Sequence, residues 1–156
     1  MTTTQQQVSR WLEAVGAATG FALTLNEDGH CNIVFGSNQL ECMVEVPEES
    51  TSVFLYVALK RAPDEPEARI ACLEQALELN VFSLATGGAT VAYDRRTGQI
   101  VLTFTREVER MDEELFKALL GDVLDVAIDL HAKLNESPAA AEGTAVETVP
   151  PPGLKL

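Results

Sequence analysis

The order of apolar and polar positions divides the chain into helical and extended stretches. Along residues 5–20, Val8, Trp11, Leu12 and Val15 recur at helical spacing, and Gly16 and Gly20 weaken and then end the pattern. This predicts a first helix, with Trp11 either anchoring it to the core or partly exposed to a partner. Residues 21–25 form a short extended stretch. Asn26-Glu27-Asp28-Gly29 supplies a turn, and residues 30–35 continue as strand. Gly36-Ser37-Asn38 reverses the chain into residues 39–46. There Leu40, Cys42, Val44 and Val46 share one face, and Gln39, Glu41, Met43 and Glu45 the other. That alternation marks a half-buried antiparallel strand. Residues 53–60 are apolar on both sides, which puts this strand at the centre of a sheet or sets one face against another protein.

The second half follows the same logic. Asp64 is the expected cap of a helix over residues 67–80, with Ile70, Leu73, Leu77 and Val81 as its apolar stripe. A short apolar link leads to Gly87-Gly88. Two strands over residues 89–93 and 99–106 are joined by Asp94-Arg95-Arg96-Thr97-Gly98, a polar hairpin loop with Gly98 in the left-handed position. Asp112 caps a long final helix whose stripe runs through Phe116, Leu119, Val123, Ala127, Leu130 and Leu134. The order is helix, three strands (the first short and split at the Asp28-Gly29 turn), helix, two strands, helix. This is an α+β fold with an antiparallel sheet packed against helices. Residues 1–134 are expected to form one domain. Residues 135–156, rich in Pro and in short Ala, Glu and Thr runs, are expected to be a disordered tail.

Composition narrows the function. The chain has 156 residues, 46% of them hydrophobic, enough for a real core. Its formal net charge is -13, which repels nucleic acid and anionic lipid. No apolar run approaches the roughly 20 residues needed to span a bilayer. Residues 1–7 lack the basic start and apolar core of a secretory signal. Three cysteines without zinc-like spacing suggest a reducing cytoplasm.

Candidate chemistry is sparse. His30 and His131 stand far apart in sequence, and no Cys or acid completes a metal set around either, so neither metal nor cofactor is expected. Cys31 and Cys42 would lie opposite each other if Gly36-Ser37 made a two-residue turn, as buried reduced thiols. Gly87-Gly88 is no phosphate loop, because no Lys-Ser/Thr follows and a strand comes next. Glu48-Glu49 and Glu113-Glu114 read as a solvated loop and a helix start, and Arg95-Arg96 as a hairpin tip.

Several features occur together in order: the early amphipathic helix, the Asp28-Gly29 turn, and Leu77-Glu78-Leu79-Asn80 ending the second helix. Gly87-Gly88-Ala89, the Tyr93-Asp94 strand end, the strand holding Leu102 and the Met111-Asp112 cap with Phe116 follow. Over residues 5–134 this series resembles the class I type III secretion chaperones, the Tir-chaperone or CesT family. The resemblance implies a cytoplasmic bacterial homodimer without enzymatic activity. It would bind the N-terminal segment of one or a few secreted effectors and keep them soluble and competent for export. It would place the dimer contact at Leu73, Leu77, Val81, Val91 and Tyr93. The effector contact would fall at Val8, Leu12, Ile33, Phe35, Leu40, Cys42 and Val44. Two other readings stay open: a small-molecule enzyme or ligand-binding domain on a similar scaffold, and a general acidic dimeric adaptor or regulator of secretion.

Overall fold

In the computed structural model, residues 1–136 are described. The elements are α1 (Thr3–Thr19), β1 (His30–Phe35), β2 (Leu40–Glu45), β3 (Ser52–Arg61), α2 (Pro66–Glu78), β4 (Thr90–Asp94), β5 (Gln99–Glu107) and α3 (Glu113–Asn135). The five strands form one antiparallel sheet in the order β1-β2-β3-β5-β4. The expected tail falls almost wholly outside the described residues, since α3 runs on through Asn135.

Each helix start has a local cause. At α1 the Thr2 hydroxyl accepts the Gln5 N–H while the Gln5 side-chain oxygen accepts the Thr2 N–H, a reciprocal box that starts the helix earlier than its apolar stripe does. Asp112 caps α3 by accepting the Leu115 N–H at 2.8 Å. At α2 the cap is Glu65, not Asp64. The Glu65 carboxylate accepts the N–H groups of Glu67 and Ala68, and Pro66 takes the first helical position, where no N–H is needed.

β3 is the centre of the sheet, between β2 and β5, as its two-sided apolar pattern suggested. Val53, Leu55, Val57 and Leu59 point into the core. They meet Cys42 and Val44 of β2, Ile100 and Leu102 of β5 and the α3 stripe from Phe116 to Leu134. Trp11 is a core anchor at 6% exposure, its ring centroid 5.4 Å from that of Phe116. The opposite face stays open: Met43, Phe54, Tyr56 and Ala58 are only half-buried there.

Two expectations fail around β1. Residues 21–25 are extended but unpaired, because their polar groups go to α1 instead. The Leu25 N–H donates to the Ser9 hydroxyl, and the Thr24 hydroxyl lies 3.5 Å from it. The turn between β1 and β2 takes four residues, with Phe35 opposite Leu40 and Gln39 in a left-handed conformation at φ 53°. The register therefore sets Cys31 opposite Val44 and Cys42 opposite Ile33, so the two thiols are diagonal neighbours; both are buried and free. Gly29 is required twice over. Its φ is +81°, and a Cβ there would stand 2.3 Å from the Val46 carbonyl oxygen. That same oxygen accepts the buried Gln5 amide at 2.9 Å, tying α1 to the end of β2.

Candidate functional site

Fully burying a Leu, Val or Phe side chain is worth roughly 1.5–3 kcal/mol relative to leaving it in water. Large apolar residues left exposed in a cluster therefore mark a surface with another use. Among the described residues there are two such clusters, at opposite edges of the sheet.

The first lies on α2 and the link after it. The apolar stripe of α2 does not point inward: Cys72 and Ala76 are the buried residues, while Ile70, Leu77 and Val81 are exposed. Phe82 is 88% exposed and Leu84 85%, and Phe82 and Ser83 both carry positive φ. Non-glycine residues rarely hold that conformation, so this link is strained as well as greasy. Beneath it, Leu73, Ala76, Leu77, Val91, Ala92 and Tyr93 line a concavity of about 200 Å³. The outer edge of β4 is capped at Val91. The Asn80 side-chain amide accepts the Val91 N–H at 2.8 Å and donates to its carbonyl at 2.9 Å, as a neighbouring strand would.

The second cluster flanks β1, the opposite edge strand. A groove of about 590 Å³ runs between the C-terminal part of α1, residues 21–23, β1 and α3. It is lined by Val15, Phe21, Leu23, Val34, Phe35, Leu120 and Leu124 among others. Phe21 is 68% exposed and Val34 50%. Along β1 the His30 N–H and carbonyl both bond Asn26, away from β2. Alternation along a strand then directs the backbone groups of Asn32 and Val34 outward too. The groove thus has an apolar floor and an unpaired strand edge side by side.

The residues expected at the two contacts are placed unevenly. At the α2–β4 edge, Leu77 and Val81 are exposed, Leu73 and Tyr93 are half-buried, and Val91 is buried beneath them. Among those expected to touch an effector, Val8, Leu12, Cys42 and Val44 are fully buried and Leu40 nearly so. As the chain is folded here they reach no partner, because the α1 stripe with Val8 and Leu12 and the β2 alternation with Leu40, Cys42 and Val44 both face the core. Ile33 and Phe35 line the β1 groove. The exposed members, Phe21 and Val34, escape a periodicity argument. One stands in an unpaired segment and the other on the polar side of a strand.

The open sheet face holds a polar cavity of about 650 Å³, lined by Glu41, Met43, Tyr56, Asp94, Arg96 and Thr97 among others. Tyr56 Oη donates to Asp94 at 3.4 Å, and burial pushes the phenol up from its ordinary value. Arg96 lies 3.6 Å from Asp94 at the hairpin tip. His30 sits 3.4 Å from Glu45, and His131 Nδ1 is 2.7 Å from the Leu59 carbonyl. Burial pushes the Cys42 thiol up to about 12, with the neighbouring Cys31 adding to the rise against a backbone hydrogen bond from Tyr56. Among the described residues no cluster of three or more His, Cys, Asp or Glu could hold a metal ion. No helix there is long and apolar enough to cross a membrane.

Known structures share this architecture. A chain in the crystal structure of the ExsC–ExsE complex superposes with a TM-score of 0.63 at 20% identity, covering 86% of this chain and 97% of that one. A chain of the HopA1–SchA chaperone–effector complex gives 0.62 at 15% identity, covering 84% and 98%. One from the heterodimeric ExoU–SpcU complex of the type III secretion system of Pseudomonas aeruginosa gives 0.60 at 17%, covering 83% and 99%. At these identities the likeness establishes the fold. A sequence comparison with curated proteins finds no match. The pattern of the Tir chaperone protein (CesT) family matches residues 10–131, from the middle of α1 to the last turns of α3. The chain therefore belongs to the Tir chaperone protein (CesT) family.

Proposed function

We propose that this protein is a type III secretion chaperone of the bacterial cytoplasm, acting as a homodimer that binds without turnover. Each dimer holds the N-terminal segment of one or a few secreted effectors and keeps it soluble for export. The observation that carries the reading is the β1 groove, where outward backbone groups at Asn32 and Val34 run beside Phe21, Leu23 and Phe35. An extended peptide laid there would gain main-chain hydrogen bonds from the edge and pockets for alternate side chains. Family membership and the printed description of HopA1–SchA as a chaperone–effector complex support it.

In this reading Ile33 and Phe35 floor the client groove, while Val8, Leu12, Leu40, Cys42 and Val44 support it from within. The second copy sits on α2 and β4, where Leu73, Leu77, Val81, Val91 and Tyr93 present the other apolar surface. The test is co-expression with a secreted protein encoded beside it, followed by affinity capture, light scattering and limited proteolysis. The expected result is two chains per particle, holding a protected client fragment of roughly 50–100 residues, a size set by the area that coupled ordering must bury. A particle with the mass of one chain at micromolar concentration would overturn the dimer, and a fully digested client would overturn the chaperone role.

A second reading, small-ligand binding, rests on the polar cavity around Tyr56 and Asp94. A small molecule that raises the melting temperature of the wild type and of Tyr56→Phe by different amounts would favour it.

A further inference from the structure

The open stretch of β1 is stopped at both ends. At its start the Asn26 side-chain oxygen accepts the His30 N–H at 2.9 Å, and the Asn26 N–H donates to the His30 carbonyl at 2.8 Å. At its end Gly36 turns the chain away at φ 70°. The Gly36 carbonyl accepts both the Gln39 N–H and the Gln39 side-chain amide, each at 3.3 Å. Between these stops Cys31, Ile33 and Phe35 turn their backbone groups to β2. Asn32 and Val34 are left with an N–H and a carbonyl directed outward. On the helix side, Gly16 lets the following segment pass close to α1: a Cβ there would stand 2.3 Å from the Phe21 carbonyl oxygen. Phe21 and Leu23 therefore form the far wall of a slot, with β1 as its near wall and Leu120 and Leu124 as its floor. No charged side chain lines it.

We infer that this slot takes a client strand only two ladder residues long, running antiparallel to β1, and that Asn26 and Gln39 set its length. The inference rests on the client reading of the β1 groove and says what the client must carry there. In an antiparallel pair a residue can bond its opposite through both its N–H and its carbonyl, so Asn32 and Val34 each hold one client residue. Adding a strand in this sense also continues a sheet that is antiparallel throughout. Side chains alternate, so those two client residues point to the open sheet face, as Asn32 and Val34 do. The client residues opposite Ile33 and Phe35 point to the other side, among Phe21, Leu23, Leu120 and Leu124. They must be uncharged and apolar, because a charge there would be desolvated without a partner. The motif is two such residues separated by one, after which the client has to leave the sheet. The same stops keep an exposed edge short, one of the ways natural sheets avoid pairing edge to edge.

The probe is a synthetic peptide with the core Thr-Leu-Thr-Leu-Thr between Gly-Ser ends, titrated into the isotope-labelled full chain and read by amide NMR shifts. Binding with a Kd of about 1 mM or tighter is expected, with the largest shifts at Asn32 and Val34. Methylating the backbone nitrogen of the third or fifth core residue removes an N–H that faces β1 and should weaken binding about tenfold. The same change at the second or fourth should cost less than about twofold. Doubling the core should gain no more than about threefold. Weakening at the second and fourth residues instead would mean a parallel strand, whose groove-facing residues make the bonds. Affinity that climbs steadily with core length would mean that Asn26 and Gln39 stop nothing. Either result overturns the slot and leaves the groove a client site. Asn32 and Val34 amides already protected from exchange in the free chain would mean that a second copy or another part of the chain fills the edge, and would overturn the slot too. So would the absence of shifts at these amides with millimolar peptide. A client still captured by co-expression would then leave the chaperone reading standing without the slot.

Discussion

The two edges of the sheet present opposite chemistry. At β4 the main chain is capped at one position: the Asn80 amide takes both the N–H and the carbonyl of Val91, so there the edge offers side chains rather than hydrogen bonds. At β1 the main chain is open at Asn32 and Val34, with a greasy groove alongside. A partly capped edge beside an exposed apolar helix face suits a folded partner of fixed shape. An open edge suits a chain without shape of its own, because every extended peptide carries the same backbone donors and acceptors. In the proposed reading, the difference lets one small sheet hold a second copy and a client without confusing them.

The sharpest break of this comparison is Leu77→Asp. It sets an unpaired carboxylate into the proposed self-contact twice per dimer. It should raise the dissociation constant on the order of a thousandfold, leaving a monomer by light scattering, while the exposed position keeps the monomer's melting temperature. Next is Asn80→Ala, which leaves the Val91 N–H and carbonyl without their partners. Two lost hydrogen bonds predict about 2 kcal/mol of destabilisation in urea unfolding. An unchanged midpoint would show that the β4 edge does not need its cap.

At the other edge, Val34→Pro removes an outward N–H that the sheet does not use. It should weaken client binding about tenfold by calorimetry, with Val34→Ala weakening it less. Equal effects would mean the side chain, not the strand edge, makes the contact. The smallest effect is expected at Cys42. With its thiol held near 12 it should resist alkylation at pH 8 in the folded chain, with or without client. Rapid labelling would show that the sheet core under the β1 groove opens.

Much of the architecture was legible because helix and strand periods are enforced by the core. β5 turns Ile100 and Leu102 to the helix-covered face and Val101 and Thr103 to the other, where Val101 is buried as well, and α3 keeps a stripe from Phe116 to Leu134 with a visible cap at Asp112. The readings that failed depended on side chains answering backbone groups out of register. Ser9 takes the Leu25 N–H and so removes residues 21–25 from the sheet. Glu65 rather than Asp64 closes the start of α2, since Pro66 fixes where the helix can begin.

The surfaces were harder to read, because apolar periodicity reports which residues share a face and not which way that face looks. In β2 the shared face, with Cys42 and Val44, is core; in α2 the shared stripe, with Ile70 and Leu77, is solvent. Phe21 shares a short alternating run with Leu23 and buried Leu25 and Phe82 belongs to none, so only their exposure reveals them.

The bond from Gln5 to the Val46 carbonyl spans 41 positions of chain and passes over Gly29, where no side chain fits. Its acceptor is in place only once β1 and β2 have closed, so the opening helix should dock late, after the hairpin it leans on. Stopped-flow kinetics of Gln5→Ala would then show faster unfolding with refolding nearly unchanged, and a slowed refolding arm would instead make the helix part of the nucleus.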